Sequence, residues 1–231
     1  KEAEELVEVV RKHIKTLAEI WKKLVDALRK HVEILRRLLK ELVEVIRRAI
    51  ERVRRDGIPE EVIRDAERVL RRIEELIERL LRENERVIRE VEELIKRNLD
   101  ENRKVVEDLK EVVDRNGDKR ELTEIVRRLL KSNKRVAEEV VRLTERLLRE
   151  NKKITDELVK IVEDLLRRIT KTRGRTERLD TVLEELRRVL KELERKLRES
   201  IKELRDVLRE VEERLKESIE ELERVLDRLR R

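Results

Sequence analysis

Apolar residues recur along this chain at helical spacing, and the pattern repeats every 18 positions. Near the C-terminus, Leu179, Leu197 and Leu215 fall on one such row, and Leu183, Ile201 and Ile219 on another. Near the N-terminus, Leu6, Leu24 and Leu42 do the same, beside Val10, Leu28 and Ile46. Ile73, Val91 and Leu109, then Leu129, Leu147 and Leu165, continue it through the middle. Eighteen residues at about 3.6 per turn make five whole turns, so a side chain returns to the same azimuth. A strict heptad row drifts by about 20° per repeat. The row Leu186, Leu193, Ser200, Val207 shows that drift by running on into Arg214 and Glu221. The pattern predicts straight amphipathic helices with little supercoil.

Three glycines punctuate the pattern. At Asp56-Gly57-Ile58-Pro59, Gly57 suits the left-handed position after a helix, and Pro59 suits the first turn of the next. At Asn116-Gly117-Asp118, Asp118 is a candidate N-cap, with Glu121 completing a capping box. At Arg173-Gly174-Arg175-Thr176, Thr176 is a candidate N-cap. The expected fold class is all-α: four helices over 2–55, 59–115, 118–172 and 176–230, each about 54 residues or ~80 Å long. Loops this short make sequential helices antiparallel, giving a single up-down-up-down four-helix-bundle domain over 1–231.

Polar residues interrupt the stripe at matched heights. His13 and His31 are 18 apart, as are Asn84 and Asn102, Asn133 and Asn151, and Ser200 and Ser218. His13 and Asn102 lie equally far from the first turn, and so do His31 and Asn84. Asn102 and Asn133 are equidistant from the second turn, as are Asn84 and Asn151; the serines miss the third by about two residues. Folding at the turns therefore stacks two polar rungs: His13, Asn102, Asn133 and Ser218, then His31, Asn84, Asn151 and Ser200. A third level is apolar: Ala49, Ala66, Ile169 and Val182. A buried amide or imidazole without a partner costs on the order of 1–3 kcal/mol, so collecting them lets them satisfy one another. Sliding one helix would set an Asn against a Leu, which makes the rungs candidates for specifying register. Thr16, Asn98, Thr144 and Thr155 sit at or beside the stripe. They are candidate extensions, with Thr16 and Asn98 a possible pair; each threonine is equally suited to bonding its own preceding turn.

Composition narrows the chemistry. Charged residues make up 52% of the chain, yet the regular Leu, Val and Ile spacing argues against disorder. There is no Cys, which removes disulfides, thiol catalysis and Cys-based zinc sites. The two histidines are ~27 Å apart on a straight helix and cannot share an ion. Each rung otherwise offers only amides and a hydroxyl, so no metal and no cofactor is expected. Ser200 could face His31, and Ser218 could face His13, but the core rows hold no acid to complete a triad, so no enzyme activity is expected. The net charge of +7 comes from 64 basic and 57 acidic residues interspersed, so the field largely cancels and specific nucleic-acid binding is not expected. No apolar run approaches the ~20 residues that span a bilayer, and no signal-peptide pattern opens the sequence. Trp21, in the row of Ala3 and Leu39, reads as packed core. Helix one carries the broader apolar arc, with Val7, Val25 and Val43 on one flank and Val9, Ala27, Ile34 and Val45 on the other. These are either boundary residues shielded by long Arg and Glu stems or a self-association face.

Near-exact 18-residue repeats, one Gly per turn, no Gln, Met, Phe or Tyr, and Glu, Arg and Lys on every exposed row resemble de novo designed helical bundles. The His/Asn/Asn/Ser rungs resemble the buried hydrogen-bond networks of that class. The resemblance implies a thermostable scaffold without natural substrate, cofactor or partner. It implies no natural compartment, only a soluble protein in the cytoplasm of an expression host. A monomer is the expectation. The alternatives are a pH-responsive element acting through His13 and His31, and a subunit of an assembly joined through helix one.

Overall fold

The computed structural model describes residues 2–172 and 177–231. Four helices account for nearly all of it: α1 Glu2–Arg55, α2 Glu60–Asp114, α3 Lys119–Thr170 and α4 Glu177–Arg230. These bounds fall within about two residues of those the glycines and caps mark out, inside the usual uncertainty of helix ends. The third turn, with Gly174 and the expected cap Thr176, lies outside the described residues.

The first two turns form for different local reasons. Gly57 adopts φ +70° with nothing near the position a Cβ would occupy. The next amide, Ile58 N–H, reaches back to the Val53 carbonyl, and the Ile58 side chain is buried. That is the left-handed C-terminal motif with its hydrophobic contact. Pro59 stands just outside α2, and its carbonyl accepts the first helical bond, from Val62 N–H at 3.0 Å. At the second turn the left-handed residue is Asn116 (φ 53°), not the glycine. Gly117 is needed for space: a Cβ there would come within 2.6 Å of Val112 Cγ1. Asp118 caps α3 as expected, its Oδ1 accepting from Arg120 N–H at 3.2 Å. The reciprocal half of the capping box differs from the expectation, because the Glu121 carboxylate is drawn to the Arg115 guanidinium across the turn.

The chain divides into two compact units, each taking one stretch from each helix. The first comprises Lys1–Arg29, Val87–Glu145 and Leu204–Arg231; the second comprises Lys30–Arg86 and Arg146–Glu203. In the first unit, α1 and α4 are antiparallel neighbours: Lys12 pairs with Glu221, Glu19 with Arg214 and Lys23 with Glu210. In the second, Arg36 with Glu85, Arg47 with Glu74 and Arg54 with Glu67 show the same for α1 and α2.

Burial follows the 18-residue rows. Leu6, Leu24 and Leu42 are each fully buried, and so are Ile73, Val91 and Leu109. Ala49, Ala66 and Ile169 of the apolar level are buried, with Val182 half-buried. On the flanks of α1, Val7 and Val45 are buried, while Val9, Val25, Ala27, Ile34 and Val43 are half-buried. Among the described residues no large hydrophobic side chain is exposed.

Candidate functional site: two buried polar networks

Each unit holds one network. In the first unit, His13 Nδ1 lies 2.6 Å from Ser218 Oγ on α4, and His13 Nε2 lies 3.1 Å from Asn133 Nδ2 on α3. Asn133 and Asn102 exchange two amide bonds, each 2.9 Å. In the second unit, His31 Nδ1 lies 2.8 Å from Ser200 Oγ, and His31 Nε2 lies 3.1 Å from Asn151 Nδ2. Asn151 and Asn84 exchange bonds of 2.7 and 2.8 Å. All eight residues assigned to the two rungs therefore meet as two quartets, the serines included despite their two-residue offset. Seven are buried; Ser218 is half-buried. The bonding order is not the order around the bundle, because each imidazole bonds across the diagonal to α3 rather than to its sequence neighbour α2.

Donors and acceptors can be traced outward from groups of fixed character. The Asn84 amide nitrogen donates to the Leu80 carbonyl at 2.7 Å, and the Asn102 nitrogen to the Asn98 carbonyl. A backbone carbonyl only accepts, so these contacts fix which end of each amide is nitrogen. The reciprocal Asn–Asn pairs then fix Asn151 and Asn133, whose nitrogens donate to the histidine Nε2 atoms. Nε2 is thus the unprotonated nitrogen, and Nδ1–H donates to the serine hydroxyl. Both rings are neutral in this arrangement. Burial pushes each histidine pKa down from 6.5 to about 4, because an imidazolium would lose its hydration.

The candidate extensions behave differently from one another. Asn98 joins the first network, donating from Nδ2 to Asn133 Oδ1 at 2.8 Å. Its side-chain oxygen accepts from Trp21 Nε1–H at 3.3 Å. Trp21 is fully buried, as a core residue should be, and it is also a network member, a role the hydrophobic pattern does not assign. Trp21 and Asn98 are offset by about one turn from equal distances to Gly57, a reach that an indole spans but that strict equidistance overlooks. The expected pairing of Thr16 with Asn98 gives way to this bond; Thr16 is half-buried instead. It lines a cleft of about 160 Å³ with His13, Ser218, Lys12 and Glu221. Thr144 bonds its own turn at the Val140 carbonyl, 2.9 Å away. Thr155 is buried, and its hydroxyl has no hydrogen-bond partner. Neither threonine extends a rung.

The two networks differ where the 18-residue repeat changes residue type. Leu80 occupies the position equivalent to Asn98, and Leu39 the position equivalent to Trp21. The second network therefore ends at its quartet. Among the described residues no group of three or more His, Cys, Asp and Glu is placed to hold a metal ion. No helix among them is long and apolar enough to cross a membrane.

Fold and site together define a four-helix, all-helical bundle with buried polar side chains joined by hydrogen bonds. No protein-family model, curated protein or solved structure matches this chain.

Proposed function

We propose that this chain is a designed structural scaffold without natural biochemical activity, its polar networks setting helix register and pairing. The observation that carries this reading is the placement of one network residue from each of four helices at each of two levels, with every bond matched donor to acceptor. A slip of any helix would bury amides against Leu or Val and leave them unsatisfied. The repeat regularity and the narrow residue alphabet support a designed origin. The tautomer supports the absence of catalysis: Nδ1–H donates to the serine, so the ring is not arranged to accept the hydroxyl proton as a general base must. Continuous Leu, Val and Ile burial supports high thermal stability.

The test is a variant with the four quartet asparagines, Asn84, Asn102, Asn133 and Asn151, and both histidines replaced by Leu. The parent should give one set of amide resonances and the variant several, or broadened ones, from competing registers. One sharp set in the variant would show that the networks do not select the register.

A second reading, a pH-responsive element acting through His13 and His31, rests on one geometric fact. Protonation places a new N–H on Nε2, where the asparagine N–H already points. The ring and the amide then oppose each other, donor against donor.

A further inference from the structure

The network bonds fall into a simple order when sorted by helix. His13–Ser218 and His31–Ser200 join α1 to α4. The Asn133–His13 and Asn151–His31 bonds join α3 to α1. The reciprocal Asn pairs, and Asn98 to Asn133, join α2 to α3. Every one of these side-chain bonds runs between the hairpin α1–α2 and the hairpin α3–α4. The Trp21–Asn98 bond and the amide bonds to the Leu80 and Asn98 carbonyls stay within the first hairpin. Those internal bonds orient the amides that the second hairpin meets.

We infer that the α1–α2 and α3–α4 hairpins are mutually specific binding partners, so that the chain is a 1:1 two-part recognition module closed by the 115–118 turn. This rests on the reading that the networks specify pairing, and it names the partners. The chemistry is asymmetric: both histidines belong to the first hairpin and both network serines to the second. Two first hairpins would bring two imidazoles and at least two amides to each level, crowding it and leaving Nδ1–H without a hydroxyl. Two second hairpins would bring only amides and small serines, leaving a void where the imidazole packs. The exposed α1–α4 seam adds charge matching. Lys12, Lys23 and Arg48 on α1 meet Glu221, Glu210 and Glu185 on α4, and the signs reverse at Glu19–Arg214. Each exposed pair contributes little energy, but together they discriminate between partners.

The experiment uses the full chain with a protease site inserted between Gly117 and Asp118, in flexible segments of two lengths. Two lengths separate a loop-specific folding defect from a pairing result. The folded protein is cut, unfolded in guanidinium and refolded by dilution, and the halves are weighed by native mass spectrometry. Complexes of one first half with one second half should exceed either homodimer by at least about tenfold, roughly 1.4 kcal/mol. Pairing at statistical ratios, or halves that stay apart, would overturn the inference. Asn133→Leu/Asn151→Leu in the cut chain should bring the preference down toward statistical, and an undiminished preference would remove the networks from the explanation. Register in the uncut chain is read separately by its resonances, so failure of the scaffold reading and failure of this one are distinguishable.

Discussion

The indole N–H of Trp21 donates to the side-chain carbonyl of Asn98, 3.3 Å away, and thereby orients amides that reach as far as His13. An indole nitrogen only donates, so Asn98 must present oxygen to Trp21 and nitrogen to Asn133. Asn133 must then turn its own nitrogen to His13 Nε2. The backbone contact of Asn102 with the Asn98 carbonyl leads independently to the same assignment.

That assignment is directly measurable. Imidazole nitrogen shifts at pH 7 should place both histidines in the Nδ1–H tautomer. An Nε2–H signal from either ring would mean that the amide order in its network is reversed.

Removing the donor should leave a specific deficit. Trp21→Phe leaves Asn98 Oδ1 buried without a partner, at a cost of about 1–3 kcal/mol beyond the loss of packing volume. Adding Asn98→Leu should then cost less than it does in the parent. A double-mutant cycle by denaturant titration reads the coupling, and strict additivity would show that the 3.3 Å bond carries no energy.

Acid should weaken the protein over a defined window. Below about pH 6.5 the unfolded chain takes up protons that the buried rings refuse until about pH 4. The histidine contribution is therefore complete above pH 6.5, declines between the two values and levels off below. The span corresponds to about 3 kcal/mol per ring. Lys12, Arg214, Glu217 and Glu221 line the cleft beside His13, and burial is what lowers its pKa. Denaturant midpoints at pH 7 and pH 4 for the parent and for His13→Asn/His31→Asn check this; the parent should lose more. Equal losses would trace the pH effect to the carboxylates.

Thr155 offers a stabilising substitution. Its hydroxyl is buried without a partner, so Thr155→Val should gain about 1 kcal/mol. Thr144→Val should gain nothing, because Thr144 already bonds the Val140 carbonyl. Chemical denaturation of both variants provides the comparison, and a loss at Thr155 would point to a partner such as buried water.

The two glycines should fail differently when given a methyl group. Gly57→Ala is strained by its φ of +70° and costs about 1 kcal/mol, whatever its neighbours. Gly117→Ala drives a Cβ into Val112 Cγ1, so Val112→Ala should rescue part of its loss and none of the loss at Gly57. Thermal midpoints of the single and double variants decide between the two mechanisms.

Periodicity and loop length carried most of the fold into the sequence. An 18-residue row names the buried face, and a break as short as the four residues at 56–59 or 115–118 leaves only an antiparallel neighbour. Equal distances to the first two turns also placed the histidines and asparagines of both rungs, and the serines followed to within about two residues. Bond order was not legible, because equidistance does not distinguish a diagonal partner from an adjacent one. The network role of Trp21 was hidden because its reach spans a turn, and its donor is silent in a hydrophobicity pattern. Thr16, Thr144 and Thr155 were ambiguous because a short hydroxyl chooses between its own helix and a neighbour on small differences in distance. The Glu121 contact turned on competition with Arg115, which comes near only once the turn has formed.

Ser200 is buried, whereas Ser218 is half-buried beside an open cleft. Chemically the two quartets are twins, yet one has a doorway to the bulk. Labile hydrogens on His13 and Ser218 should trade with deuterated solvent through small local excursions. Those on His31 and Ser200 must await a larger opening. A single molecule thus carries two copies of one motif that keep different time.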